Sequence, residues 1–176
     1  MKNVKWLFIP NGDACQDDLR KIAQLKDQHW QYGIKSQVEW MKSNLIPQDV
    51  HLLGVSEESG ELLAYLSITS LEVRIDNKII DTEFVGLGNV CVSKEIEHSG
   101  YGSALVTEAN RYISNKGMEG ILLCKSSLLS FYKRCDWQNV NYIETYVAGR
   151  RYDKKIMCFP GRIPLNEHVI NVNRNF

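Results

Sequence analysis

The stretch Val85–Ser114, VGLGNVCVSKEIEHSGYGSALVTEANRYIS, decides the fold. Apolar Val85, Leu87, Val90 and Val92 open it as a buried type of strand, and a charged connection leads to the glycine pair of Gly100-Tyr101-Gly102. Leu105, Ala109, Tyr112 and Ile113 then recur at helical spacing, and Gly117 supplies a C-terminal stop. Glycine lets the backbone bend with no Cβ in the way, and the first-turn N–H groups of a helix lack intrahelical acceptors. With the helix dipole, these donors favour a phosphate or pyrophosphate. The stretch therefore predicts an anion site at a helix start. Gly120–Cys124 (GILLC) follows as a short, wholly apolar run, as expected of a parallel strand covered on both faces. The crossover from Val85 to this strand is expected to be right-handed.

On the N-terminal side, Lys2–Ile9 reads as a strand ended by Pro10-Asn11-Gly12, and Asp13 is placed to cap a helix through Lys26. A second helix carries Ile34, Val38, Met41 and Leu45 as one stripe and ends at Pro47. Trp30, Tyr32 and Trp40 serve either helix packing or one wall of an acceptor pocket. His51–Ser56 and Leu62–Val73 read as a hairpin about Glu57–Gly60, and Asp76-Asn77-Lys78 turns the chain back through Ile79 and Ile80. Beyond Cys124, Ser126 or Ser127 can cap a helix with Leu128, Phe131, Tyr132 and Cys135 on one face, broken near Asp136. Trp137–Ile143 and Tyr146–Cys158 read as the last strands, and Asn166–Phe176 as a frayed or surface tail.

At 176 residues and 44% hydrophobic, the chain is expected to form one domain, 1–176. Lys plus Arg equals Asp plus Glu at 21 each, which argues against a nucleic-acid partner, because phosphate-backbone affinity needs clustered positive charge. Arg150-Arg151 and Lys154-Lys155 read as a solvated face. No apolar run approaches membrane-spanning length and no signal-peptide core is visible, so no membrane partner and a cytoplasmic location are expected. Five scattered cysteines without a C-x-x-C pair predict reduced thiols and no metal site. Oligomeric state, monomer or homodimer, stays open.

A glycine turn alone is weak evidence, and no Gly-Lys-Ser/Thr or third glycine turns it into a nucleotide motif. It gains force from Phe131-Tyr132-Lys133-Arg134-Cys135-Asp136-Trp137, about 30 residues after Gly102. Together the two resemble the GNAT superfamily of acyl-CoA-dependent N-acyltransferases. That family carries a strand, an Arg/Gln-x-x-Gly-x-Gly/Ala loop, a helix, a parallel strand, and a helix ending in Phe/Leu-Tyr-x-x-x-Gly-Phe/Trp. Here Glu97 stands in place of the first Arg or Gln and Asp136 in place of the later Gly. The segment LEVRIDNKIIDTEFVGLGNVCVS is similar in layout to aminoglycoside 2′-N-acetyltransferases, although the acid of those enzymes corresponds to Gly88.

The resemblance implies an α+β fold: a central, mostly antiparallel sheet of six to seven strands flanked by about four helices, with a splayed parallel strand pair at the cofactor. It implies acetyl-CoA as cosubstrate, its pantetheine along Val90, Cys91 and Val92 and its pyrophosphate on His98, Ser99, Gly100, Tyr101, Gly102 and Ser103. It implies direct transfer to a primary amine of a small-molecule acceptor, with Tyr132 as general acid. Cys91 and Cys124 are then buried thiols and not nucleophiles. The strand lacks the usual glutamate, so Glu83, with Asp81 and Glu72 behind it, is the catalytic base candidate; Asn89 orienting a water, or an amine that arrives neutral, are the other arrangements. A non-catalytic acyl-CoA sensor and a protein or peptide N-acetyltransferase are the competing functions.

Overall fold

The computed structural model describes residues 3–176, which divide into two compact units. The first comprises the described part of Met1–Thr69 together with Gly88–Glu108. It contains β1 (Val4–Pro10), α1 (Gln16–Asp27), α2 (Ile34–Asn44), β2 (Val50–Ser56) and most of β3 (Leu62–Leu71). It also holds the end of β6 (Phe84–Val92) and the start of α3 (Tyr101–Asn115). The predicted first strand is β1; its proposed start at Lys2 lies outside the described residues. β1 runs antiparallel to β2 in unbroken register from Val4↔Ser56 to Pro10↔Val50, and β2 is antiparallel to β3.

Asp13 does not cap α1. Its N–H is taken by the Pro10 carbonyl in the preceding turn, and the helix begins after Cys15, whose N–H donates to Asp18 Oδ2 at 3.0 Å. The apolar stripes of both helices meet the sheet: Leu19, Ile22, Ala23, Val38, Met41 and Leu45 share a core with Leu53, Tyr65 and Cys91. Trp30 and Trp40 pack on its edge, whereas Tyr32 is 73% exposed.

Lys26 is drawn into this core, 3% exposed, with Nζ 4.7 Å from the Trp40 ring centroid. Burial pulls its ammonium down from 10.5 to about 8, with Cys91 opposing. Between those two values the unfolded chain binds more protons than the folded one, so this group makes stability rise with pH from about 8 to 10.5. Below about 8 both states are protonated and the full burial cost persists. Lys26→Met is therefore expected to raise stability at pH 7 by ~1–3 kcal/mol, net of the lost cation–π contact, and to flatten that rise; urea denaturation at pH 7 and pH 10 checks it.

The second unit comprises Ser70–Leu87 and Ala109–Phe176. It holds β4 (Val73–Ile75), β5 (Lys78–Ile79), the start of β6, the rest of α3, β7 (Glu119–Cys124) and α4 (Leu129–Lys133). Its remaining strands are β8 (Gln138–Val140), β9 (Glu144–Val147), β10 (Arg150–Arg151), β11 (Lys155–Phe159) and β12 (Val169–Val172). Among the described residues, seven strands hydrogen-bond in the order β1-β2-β3-β6-β7-β11-β8 and five in the order β10-β9-β12-β4-β5, with four α-helices. This is the expected mixed α+β architecture with a second sheet added.

Three sequence expectations change here. The run Tyr146–Cys158 is not one strand, because Ala148 and Gly149 both take positive φ (49° and 74°) and fold β9 back onto β10. The long strand Leu62–Val73 stops at Leu71, and β4 joins the second sheet. The tail neither frays nor lies on the surface: β12 sits between β9 and β4, with Ile170 and Val172 buried.

Candidate functional site

The two halves of the decisive stretch meet the expected geometry. β6 and β7 pair in parallel from Phe84↔Glu119 to Leu87↔Leu122, and there the pairing ends, although β6 continues to Val92 and β7 to Cys124. Two residues on, Asn89 adopts φ 56°, a left-handed conformation inside a strand, and its Nδ2 donates to Ser67 Oγ at 2.9 Å. Asparagine tolerates this conformation better than most residues because its short amide can bond locally. Within the first unit, Val90 and Val92 are half-buried and Cys91 points into the helix-packed core. Burial pushes the Cys91 thiol up to about 12, with Lys26 opposing, so it is an inert core thiol as expected. Its contribution to a ligand would be backbone only.

After Val92 the chain makes a 3-10 turn at Lys94–Ile96 and reaches the loop. His98 and Gly100 both have positive φ (61° and 88°), and Ala104 N–H closes onto the Gly100 carbonyl at 3.0 Å as α3 starts. Left-handed residues beside a helix N-terminus are a backbone setting in which N–H groups can face an anion, although the Ser99 N–H already donates to the Ile96 carbonyl at 3.3 Å. His98, Ser99 and Gly100 are exposed, and Gly102 and Ser103 half-exposed, while the Tyr101 side chain is buried. The six predicted loop residues are thus contiguous around one bend, separated from Val90–Val92 by the segment 93–97.

The end of α1 braces this region. His29 Nε2 lies 2.6 Å from the Val92 carbonyl oxygen, and its Nδ1 lies 3.7 Å from Glu97 Oε1. Gln28 Oε1 accepts the Lys94 N–H at 2.9 Å. Sequence reasoning missed His29, since nothing local links it to partners more than 60 residues away.

In the second unit, Tyr132 lies in α4, the five-residue helix after a 3-10 turn at Ser126–Leu128. It is 6% exposed, with the Phe131 ring edge-on at 4.9 Å. Burial, reinforced by Cys124 and Cys135, raises its hydroxyl well above the usual tyrosine range, so it stays protonated at neutral pH. Tyr132 O accepts N–H bonds from Cys135 and Trp137, and Asp136 takes φ 66°, a left-handed conformation that glycine adopts most readily. Trp137 is buried against the Phe159 ring, and its Nε1 donates to Asn110 Oδ1 at 2.9 Å, while Asn110 Nδ2 donates to the Cys135 carbonyl at 2.7 Å.

The three acidic candidates come together in this same unit. Glu83, Asp81 and Glu72 line one concavity of ≈ 390 Å³ with Thr82, Leu71, Val73 and Ile80. Tyr132 is not among its lining residues. Glu72 is also held by Arg74 at 3.0 Å.

A family model described as the acetyltransferase (GNAT) family matches residues 16–137. The chain belongs to the GNAT acetyltransferase family. No curated protein matches this acetyltransferase in sequence. Its fold is shared by ElaA of Escherichia coli, at 18% identity and TM-score 0.63 over 89% of this chain and 99% of that one. It is shared by YhbS of Escherichia coli, solved in complex with CoA, at 12% identity and TM-score 0.65 over 97% and 91%. A GNAT family acetyltransferase from Brucella melitensis in complex with acetyl-CoA is similar at 16% identity and TM-score 0.59 over 93% and 94%. At these identities the likeness is one of fold. The family makes the chain an acyltransferase, an enzyme that moves an acyl group to an acceptor substrate. No described helix of the acetyltransferase is long and apolar enough to cross a membrane.

Proposed function

We propose that this acetyltransferase moves an acetyl group from acetyl-CoA directly to the primary amine of a small-molecule acceptor, in a ternary complex. The observation that carries the donor half is the backbone from Asn89 to Ser103: a strand released from its parallel partner, then a positive-φ loop running into a helix N-terminus. Pantetheine would bond to the Val90–Val92 backbone as an added strand, and the pyrophosphate to the N–H groups of His98, Ser99, Gly100, Tyr101, Gly102 and Ser103. Neither of the two departures from the motif opposes this: Asp136 takes a left-handed φ of 66°, and Glu97 lies beside His29.

In the reaction the amine lone pair attacks the thioester carbonyl carbon, and the C–S bond breaks as the tetrahedral intermediate collapses. The Tyr132 hydroxyl gives its proton to the leaving thiolate and is reprotonated from solvent. Glu83, through water, takes the proton that the acceptor ammonium must lose before attack, and the second N–H proton, shed from the adduct as the amide forms, leaves through the same water to solvent. The concavity of three carboxylates and three aliphatic side chains supports a cationic, polar amine as acceptor. We take 1–176 as a single domain, since β6 and α3 each run through both units.

Acetyl-CoA at 100 times its Kd is expected to stabilise the folded chain by ~2.7 kcal/mol, seen as a raised melting temperature. No change with acetyl-CoA or CoA would remove the donor site.

A further inference from the structure

We propose that His29 is a positioning residue for donor binding: it offsets the carboxylate of Glu97 at the mouth of the phosphate loop while fixing the end of β6. The inference rests on the acetyl-CoA site proposed above. Glu97 immediately precedes the N–H groups assigned to the pyrophosphate, and an unbalanced carboxylate there would repel it. The structure supplies the balance from another element. His29, at the end of α1, has Nε2 2.6 Å from the Val92 carbonyl oxygen and Nδ1 3.7 Å from Glu97 Oε1. Nε2 must carry hydrogen to donate to that carbonyl, so a neutral ring would turn a lone pair toward the carboxylate. A ring carrying hydrogen on both nitrogens would satisfy both contacts at once, as donor to Val92 and as cation to Glu97. His29 and Glu97 side chains are 20% and 41% exposed, so solvent screens the pair only in part.

The neighbouring bond from Lys94 N–H to Gln28 Oε1 anchors the intervening segment to the same helix end. The two ties together hold Val92–Glu97 in place. His29 touches neither the thioester nor the acceptor in this scheme, so its effect belongs to donor affinity and not to the chemical step.

The test compares two donors that share the thioester and pantetheine but differ in the pyrophosphate: acetyl-CoA and S-acetyl-pantetheine. His29→Gln keeps an amide donor for Val92 and removes the cation. It is expected to raise KM for acetyl-CoA about fivefold to tenfold, leave kcat within twofold, and leave KM for S-acetyl-pantetheine unchanged. Glu97→Gln is expected to lower KM for acetyl-CoA about threefold, and adding His29→Gln is expected to raise it again, to within about threefold of the unaltered protein. A general loosening of the fold would move KM for both donors equally, which overturns the inference. So does an unchanged acetyl-CoA KM in His29→Gln. Should that variant not fold, the Glu97→Gln result decides alone, and an unaltered or raised KM rejects the idea. An unaltered protein that binds no acetyl-CoA rejects the donor site and this inference together; binding without the donor-selective effect rejects this inference only.

Discussion

Tyr132→Phe is expected to lower kcat about 10²-fold while KM for acetyl-CoA changes less than threefold. The substitution keeps the ring, and hence its burial and its edge contact with Phe131, and removes only the hydroxyl. Burial raises the ordinary value of this hydroxyl, so it is protonated throughout the working pH range and available as donor. A thiolate released into a low-dielectric site is destabilised by the same physics, which narrows the gap between donor and acceptor of the proton. The loss should therefore appear in the step that breaks the C–S bond. A more acidic leaving thiol, as in an aryl thioester donor, should recover most of the lost rate, because it needs no proton. Equal kcat in the variant and the unaltered protein would leave Tyr132 as a core residue only.

Trp137→Ala is expected to cost ~3–5 kcal/mol of stability, the usual range for truncating a buried aromatic. For a chain of this length that corresponds to a fall of roughly 10 °C in melting temperature. The ring is 2% exposed, and it fills the space beside Gly120, where a Cβ would come within 2.8 Å of it. Its Nε1–H also satisfies Asn110, so the truncation leaves a buried amide oxygen without that donor. The Trp137 backbone N–H also closes onto the Tyr132 carbonyl, and alanine keeps that bond, so the cost reads the ring and its indole N–H alone. Urea denaturation measures the first effect. A cost below 1 kcal/mol would show that the motif residue does not anchor this helix.

The parts of the fold legible from sequence are those written locally. Gly100, Gly102 and Gly117 bracket α3, its apolar stripe has helical period, and the wholly apolar GILLC run marks a strand covered on both faces. The strand pair β6–β7 follows from these with its parallel sense. What escaped depends on distant partners. β12 has only the alternation Ile170, Asn171, Val172 to announce it, and its stability comes from pairing with β4, where Ile170 faces Ile75. The break at Ala148 requires a non-glycine residue at positive φ, for which alanine carries no signal.

The candidate site divides the same way. The glycine loop and the Tyr132 motif are contiguous in sequence and could be named before the structure. The gathering of Glu72, Asp81 and Glu83 in one concavity needed the hairpin between them to be placed. His29 could not be found at all, since its partners come from β6 and the loop beyond it. The Asp13 cap failed because the turn from Pro10 extends through Asp13 and Ala14, so the helix starts two residues later than expected, after Cys15, whose N–H bonds to Asp18.

The most direct test of the account is release of CoA thiol from acetyl-CoA by the purified protein, followed with and without a panel of small primary amines and with a lysine-containing peptide. The account predicts release that depends on a small cationic amine, with the acetylated amine recovered in equal amount. Donor binding with no amine-dependent release would contradict it in favour of a sensor, and release with the peptide alone would contradict the small-molecule acceptor.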